Sequence, residues 1–438
     1  MLSAIGRAFR TPDLRRKLLF TLFIISIFRL GAFIPSPGVN YHNVKVCLSP
    51  GVQGQQTGIY QMLNLFSGGA LLQVSVFALG IMPYITASII VQLLRVVIPR
   101  FQELYDEGQA GQTKLTQYTR YLTIALGLLN ATTLVSLVRS GQLFPNCQLP
   151  IIPDTSIITT ILVVITLTAG TGLIMWLGEL VTEKGIGNGM SLLIFTSIAA
   201  QFPASLGAIW TSKGPGTFFI VLVVGLITMA LVIFVEQSQR RVPVQYAKRM
   251  IGRRTVGGTS TYIPIKVNMA GVIPVIFASS MLYLPALVAQ FNTPHDGSAP
   301  APWVEWINNN LTRGDHPIYM LIYFLMIIFF TYFYVAITFN PEEVSDNMKK
   351  YGGFIPGIRA GKPTADYLQY VLSRITMPGS LYLGIVALIP LIALVLVNAN
   401  QNFPFGGTSI LIVVGVGLET VKQIDAQLQQ RHYEGLLR

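Results

Sequence analysis

Charge is scarce in this chain, and histidine and cysteine are scarcer. Only 11% of the 438 residues are Asp, Glu, Lys or Arg, against about 25% in ordinary soluble proteins. Hydrophobic residues make up 52%, and the mean hydropathy is +0.58. That composition excludes a soluble globular domain and reads as an integral membrane protein. Two cysteines, Cys47 and Cys147, are too few for a disulfide framework or a zinc cluster. The four histidines (His42, His295, His316 and His432) all fall in polar gaps or the tail, and no HExxH helix is present. No Ser/His/Asp set can be assembled within the membrane. Gly361-Lys362 looks like the end of a phosphate-binding loop, but Pro356 stands at the first glycine position and Pro363 replaces the Ser/Thr. These absences argue against an enzyme and against a resident metal or cofactor.

What the chain has instead is apolar runs. Ten are legible, roughly 18–34, 77–98, 118–138, 156–177, 189–208, 217–236, 268–289, 317–339, 374–397 and 408–421. The fold class expected is an all-α polytopic membrane protein. Residues 1–17 are basic, but the following run lacks a small-residue cleavage site, so it is read as an anchor rather than a signal peptide.

The net charge of +12 is distributed with a pattern. Lys45, Arg139, Lys213 and Arg313 lie in one set of alternate gaps, and Arg29 lies inside a run. Every other Lys and Arg lies in the tails, in the opposite set of gaps or at the run ends bordering them, most densely at 240–266 and 340–374. Cytoplasmic loops carry the Lys/Arg excess, which places both termini in the cytoplasm. The charge is therefore read first as topogenic rather than as a nucleic-acid surface. The two long basic gaps also suit a docking face for a large anionic partner, or anionic lipid. The outer gap from Phe291 to His316 reads as a plain surface loop.

Five runs fall in 1–208 and five in 209–438. An odd number inverts the second half relative to the first, which predicts two inverted five-helix halves. Residues 59–74 (IYQMLNLFSGGALLQV) are too short and polar to span, and they break at Gly68-Gly69. They read either as an interfacial helix or as a re-entrant piece lining a cavity. Pro83, Pro274 and Pro285 lie in runs two and seven, where proline is expected to kink helices and free carbonyls. Cys47 and Cys147 both lie in outer gaps, where oxidation is possible; two separate thiols is the simpler reading. Arg29, near the outer end of run one, is expected to snorkel or pair as a structural anchor. The run interiors otherwise lack ionisable groups, which weakens the alternative of a secondary transporter for a small solute, because ion coupling needs titratable or coordinating groups at mid-membrane.

Seven stretches, in order, resemble the SecY/Sec61α family, the channel subunit of the Sec protein translocon. They are LFSGGAL (65–71), FALGIMPYITASIIVQLL (77–94), GQTKLTQYTRYLT (111–123), WLGELVTEKGIGNGMSLLIF (176–195), IPIKVNMAGVIPVIFASS (263–280), FNPEEVSDNMKKYGGFIPGIR (339–359) and PFGGTSILIVV (404–414). The resemblance implies an hourglass channel that passes unfolded polypeptide across the membrane and releases apolar segments laterally. It makes 59–74 a plug, with Asn64, Phe66, Ser67, Gly68 and Gly69 at its centre. It implies an apolar pore ring of Ile81, Ile85, Met190, Ile194, Ile276 and Ile412, in which Met190 departs from the expected isoleucine. It implies a lateral gate near Gln92, Asn268 and Ser280, and a docking face for the SecA motor or the ribosome at Arg253, Arg254 and Arg359. The implied partners are SecE and SecG subunits, SecA, the ribosome, preproteins with their signal sequences, and the lipid bilayer. The absence of an organelle presequence favours a bacterial plasma membrane over a thylakoid.

Overall fold

The computed structural model describes residues 9, 11–48, 64, 67–141, 143, 147, 149–154, 156–246, 249–251, 254–256, 260–292, 300–311, 316–397 and 407–434. Helices dominate. The N-terminal part contains α1 (Pro12–Gly31), α2 (Tyr41–Cys47), α3 (Met82–Val97), α4 (Pro99–Asp106), α5 (Gln109–Arg139), α6 (Ile157–Lys184) and α7 (Gly189–Ala199). After these come α8 (Phe202–Gln237) and strands β1 (Gln239–Tyr246), β2 (Arg249–Ile251), β3 (Arg254–Val256) and β4 (Ser260–Lys266). The chain continues through α9 (Ile273–Phe291), α10 (Pro302–Asn310), α11 (Pro317–Thr338), α12 (Pro341–Lys350), β5 (Gly353–Phe354), α13 (Lys362–Val397) and α14 (Gly407–Glu434).

Each expected run falls on helix, but not every helix is apolar throughout. Among the described residues six helices are long and apolar enough to cross a bilayer: Gln109–Arg139, Ile157–Lys184, Gly189–Thr211, Gly214–Gln237, Pro317–Lys350 and Lys362–Ile389. The pair α3 and α4, bent by 102°, makes a seventh if counted as one span. Helix α1 begins with Arg15, Arg16 and Lys17, and α14 carries Glu419, Lys422 and Asp425, so charge dilutes both. Runs five and six are separated within α8 at Gly214, which has φ +82° and precedes Pro215. Pro215 lacks an N–H and disfavours helical geometry in the residue before it.

Helix starts follow side-chain chemistry. Asn40, Ser156, Asn188 and Asn340 each accept a backbone N–H from the first turn of the helix that follows. Such caps satisfy donors that have no partner within the helix. Two of the prolines expected to kink do not. Pro83 lies in the first turn of α3 and Pro274 is the second residue of α9, positions where the missing N–H costs nothing. Pro285 alone lies inside its helix.

The basic gaps are ordered rather than plain loops. β1 pairs antiparallel with β4 (Val242 opposite Ile263) and with β5 (Gln245 opposite Phe354), giving the sheet order β4-β1-β5. Val242, Val244 and Ile265 point into an apolar cluster with Met348, Ile355, Leu368 and Leu372, so this sheet packs on α12 and α13. The outer gap read as a surface loop contains α10. The cysteines read as separate thiols are joined: Cys47 and Cys147 form a disulfide with their Cα atoms 5.5 Å apart. Spacing alone could not show that the end of α2 packs against Leu143, Ile151 and Ile152, which share an apolar cluster with Val44 and Cys47.

Candidate functional site

The six ring candidates come from four helices that are remote in sequence. Ile81 is the residue preceding α3, and its carbonyl accepts the Ile85 N–H at 3.2 Å, so the two share one turn. Met190 and Ile194 stand on α7, whose start is fixed by the Asn188 cap. Ile276 lies in the first turn of α9, and Ile412 lies on α14. Ile81, Ile194, Ile276 and Ile412 are buried in one apolar cluster, and Ile85 and Met190 pack against it, half-buried. Ile81 and Ile412 are each only 1% exposed. This cluster joins elements before residue 208 (Phe28, Ile174, Leu177, Ile198) to elements after it (Ile276, Ile412, Val416). Close backbone approach brings α7 into place: a Cβ at Gly189 would strike the Gly178 carbonyl, so the turn from α6 to α7 accepts glycine there.

The described part of the plug candidate is a series of turns leading into α3, beside the same cluster, with Phe77 stacked on Phe28 at 6.0 Å. Phe66 and 59–63 lie outside the described residues. Asn64 organises the rest. Its carbonyl accepts the Gly69 N–H at 2.9 Å and the Ser67 hydroxyl at 3.1 Å, and its Oδ1 accepts the Leu72 N–H at 3.3 Å. Ser67 Oγ accepts the Leu71 N–H at 3.1 Å. Gly68 and Gly69 both have positive φ, +69° and +90°, so the break read in the sequence is a left-handed turn that glycine tolerates. The chain returns beside α1 through an antiparallel bridge between Pro35 and Ser75. Sequence reasoning missed two side chains from outside the segment. Arg29 of α1 donates to the Gly68 carbonyl at 2.7 Å, and Gln201 donates to the Asn64 carbonyl at 2.8 Å. Arg29 was visible as a charge within the first run; Gln201 gave no signal.

The structure does not bring the three gate candidates together. Gln92 is half-buried on α3. Asn268, 3% exposed, precedes α9 rather than lying within it; its Nδ2 donates to Glu236 Oε1 at 2.6 Å and to the Gly271 carbonyl at 3.1 Å. Ser280 donates to the Ile276 carbonyl of its own helix at 2.9 Å. Apolar side chains join α3 to α9: Ile89 shares a cluster with Phe277, Ala278 and Leu282, and Ile85 packs against it.

Of the docking candidates, Arg359 is exposed between β5 and α13, and its carbonyl accepts the Thr364 hydroxyl at 2.8 Å. Arg254 begins β3, and Arg253 lies outside the described residues. The sheet brings the neighbourhoods of both basic gaps into one unit, with Arg240 and Arg241 exposed on β1 and Arg241 over the Tyr262 ring at 4.8 Å. Among the described residues no group of His, Cys, Asp and Glu could hold a metal ion.

A family model described as SecY matches residues 75–421. A relative named protein translocase subunit SecY from Streptomyces galbus is 66% identical over 447 residues, covering 100% of both chains. One of the same name from Micrococcus luteus is 65% identical over 439 residues, again covering 100% of both. Among solved structures, one concerns the plug domain of the SecY protein, described as stabilising the closed state of the translocation channel and maintaining a membrane seal. It matches with a TM-score of 0.60 at 19% identity, over 93% of this chain and 91% of that one. Sec61 in the canine ribosome–channel complex from the endoplasmic reticulum matches with a TM-score of 0.57 at 18% identity and the same coverage.

Proposed function

Because the chain belongs to the SecY family, we propose that it forms a protein-conducting channel through which unfolded secretory polypeptides cross a membrane. The observation that carries the reading of its waist is the meeting of Ile81, Ile194, Ile276 and Ile412, from four helices, in one buried apolar cluster, with Ile85 and Met190 against it. A ring of such side chains seals by excluding water and deforms around a passing chain; the flexible Met190 thioether makes that part of the gasket softer. Residues 59–74 act as the plug that closes the outer funnel, and ten spans form two inverted halves.

In this reading the lateral gate opens between α3 and α9. Its closed contact is chiefly apolar, through Ile85 and Ile89 on the α3 side. An apolar segment in transit would replace those contacts and then partition into lipid, driven by about 25 cal/mol per Å² of apolar area buried. The channel catalyses no reaction. Its energy comes from SecA or from elongation on a ribosome, docked at the face containing Arg253, Arg254 and Arg359. Arginine suits this task because its planar fork bonds phosphate and carboxylate at two points. SecE and SecG complete the complex, in a bacterial plasma membrane with both termini cytoplasmic.

The test is site-specific photocrosslinking. A photoreactive residue replaces Ile85, Ile276 or, as an outward control on α13, Ile385, which is 57% exposed. A secretory precursor is then stalled in transit. Crosslinks from Ile85 and Ile276 but not Ile385 are expected. Engaged precursor that crosslinks from neither ring position would refute the waist and favour a small-solute transporter.

A further inference from the structure

Arg29 is a cation in the last turn of α1, and among the described residues no carboxylate pairs with it. A guanidinium in low-dielectric surroundings has to find acceptors. Arg29 finds the Gly68 carbonyl at 2.7 Å and the Phe33 ring face at 4.7 Å. Glycine suits the approach: Gly68 has φ +69°, and a Cβ there would crowd Arg29 Nη1 at 3.1 Å and Ser197 Cα at 3.2 Å. Gln201, just beyond α7, holds the other side of the same turn through the Asn64 carbonyl.

The bonds centred on Asn64 tie it to Ser67, Gly69 and Leu72, and Ser67 in turn holds Ala70 and Leu71, so these residues are held as one preformed turn. Its connection to the channel wall has two parts. The Pro35–Ser75 bridge, with Ser36 N–H on Val74 O and Val76 N–H on Ile34 O, fixes the root of the segment. Arg29 and Gln201 hold its tip.

We propose that Arg29 and Gln201 are positioning residues that latch the plug: two side-chain donors, one on α1 and one in the turn between α7 and α8, grip two backbone carbonyls of one preformed turn, and opening requires both bonds to break. The inference rests on the reading of 59–74 as a plug. Because both acceptors are backbone carbonyls, the grip itself uses no plug side chain; Asn64, Ser67 and Gly68 matter through the shape of the turn.

The experiment measures resting ionic conductance of the complete channel complex in planar bilayers, and precursor transport in parallel, for wild type, Arg29→Gln, Arg29→Lys, Gln201→Leu and a deletion of 59–74. A hydrogen bond to a charged group is strong enough that Arg29→Gln should raise resting conductance roughly tenfold or more. Arg29→Lys, which keeps the charge as a single point, should fall between, and Gln201→Leu should give a severalfold rise. In the plug-deleted channel Arg29→Gln should add nothing, which a general loosening of α1 would not reproduce. If the deletion leaks but Arg29→Gln and Gln201→Leu do not, the latch is wrong and the plug stands. If the deletion itself does not leak, the plug reading fails. Transport lost without any rise in conductance overturns the latch in favour of a purely structural Arg29. Should Arg29→Gln fail to accumulate in the membrane, Arg29→Lys and Gln201→Leu decide.

Discussion

Arg120 of α5 and Glu179 of α6 meet at two points, Nε on Oε1 at 2.9 Å and Nη2 on Oε2 at 2.7 Å. The pair puts the start of one long helix beside the end of the next, as an antiparallel hairpin requires. The side chains remain 44% and 22% exposed, so the pair is a modest stabiliser. Arg120→Lys, which loses the two-point fork, is expected to cost about 0.5–1 kcal/mol. Glu179→Gln should cost about as much, and the double variant little more than either alone. Thermal melts of the detergent-solubilised complex would check this; additive losses would mean the two groups act separately.

Polar substitution in the apolar cluster should wet the waist. Ile194→Ser and Ile412→Ser are expected to raise resting ion conductance severalfold while precursors still cross, because a dewetted constriction depends on apolar lining. Ile194→Val keeps the lining apolar and should stay near wild type. A serine variant that conducts no more than the valine variant would remove these residues from the seal.

The bridge between Cys47 and Cys147 closes a sequence separation of 100 residues. Thiol-reactive label should therefore enter only after reduction. Cys47→Ser is expected to lower stability by about 2–4 kcal/mol, read as a lower melting temperature of the complex. Labelling of both cysteines without reductant would show the bridge to be absent.

In the sheet formed by the two basic segments a surface change and a core change should separate. Arg359→Glu alters an exposed side chain, so partner-driven transport should fall while the resistance of the sheet to limited proteolysis stays as in wild type. Val244→Ala removes buried apolar volume beneath β1 and should cost about 2 kcal/mol, making the same region protease-sensitive. If Arg359→Glu leaves transport unchanged, docking does not use that arginine.

Much of this arrangement was legible in the sequence because membrane physics is read from composition. A bilayer demands long apolar runs, and each of the ten runs falls on helix. Family motifs then placed Ile81, Ile194, Ile276 and Ile412, which the fold brings into one cluster. The strands were missed although their signal was present: Val242 and Val244, like Ile263 and Ile265, alternate with polar or proline neighbours, the period of a half-buried strand. They were passed over because Gly, Pro and charge in the same stretch read as loop. Other features had no local signal. The partners of Asn268 and Arg29 are Glu236 and the Gly68 carbonyl, 32 and 39 residues away, and nothing in a linear pattern points to them. Pro83 and Pro274 misled for another reason: the same residue kinks a helix or begins one, depending on a boundary the sequence leaves uncertain by a few positions.

The strand β1 continues directly from α8, and Val267, just past its partner β4, donates back to the Ser238 carbonyl at 3.0 Å. On its other edge β1 takes up β5, which lies between α12 and α13. A load applied at either basic segment is thus shared between the roots of α8, α9 and α13 rather than absorbed by slack chain. The sheet works as a handle fixed at both ends, and any force on one segment is passed to α8, α9 and α13 together.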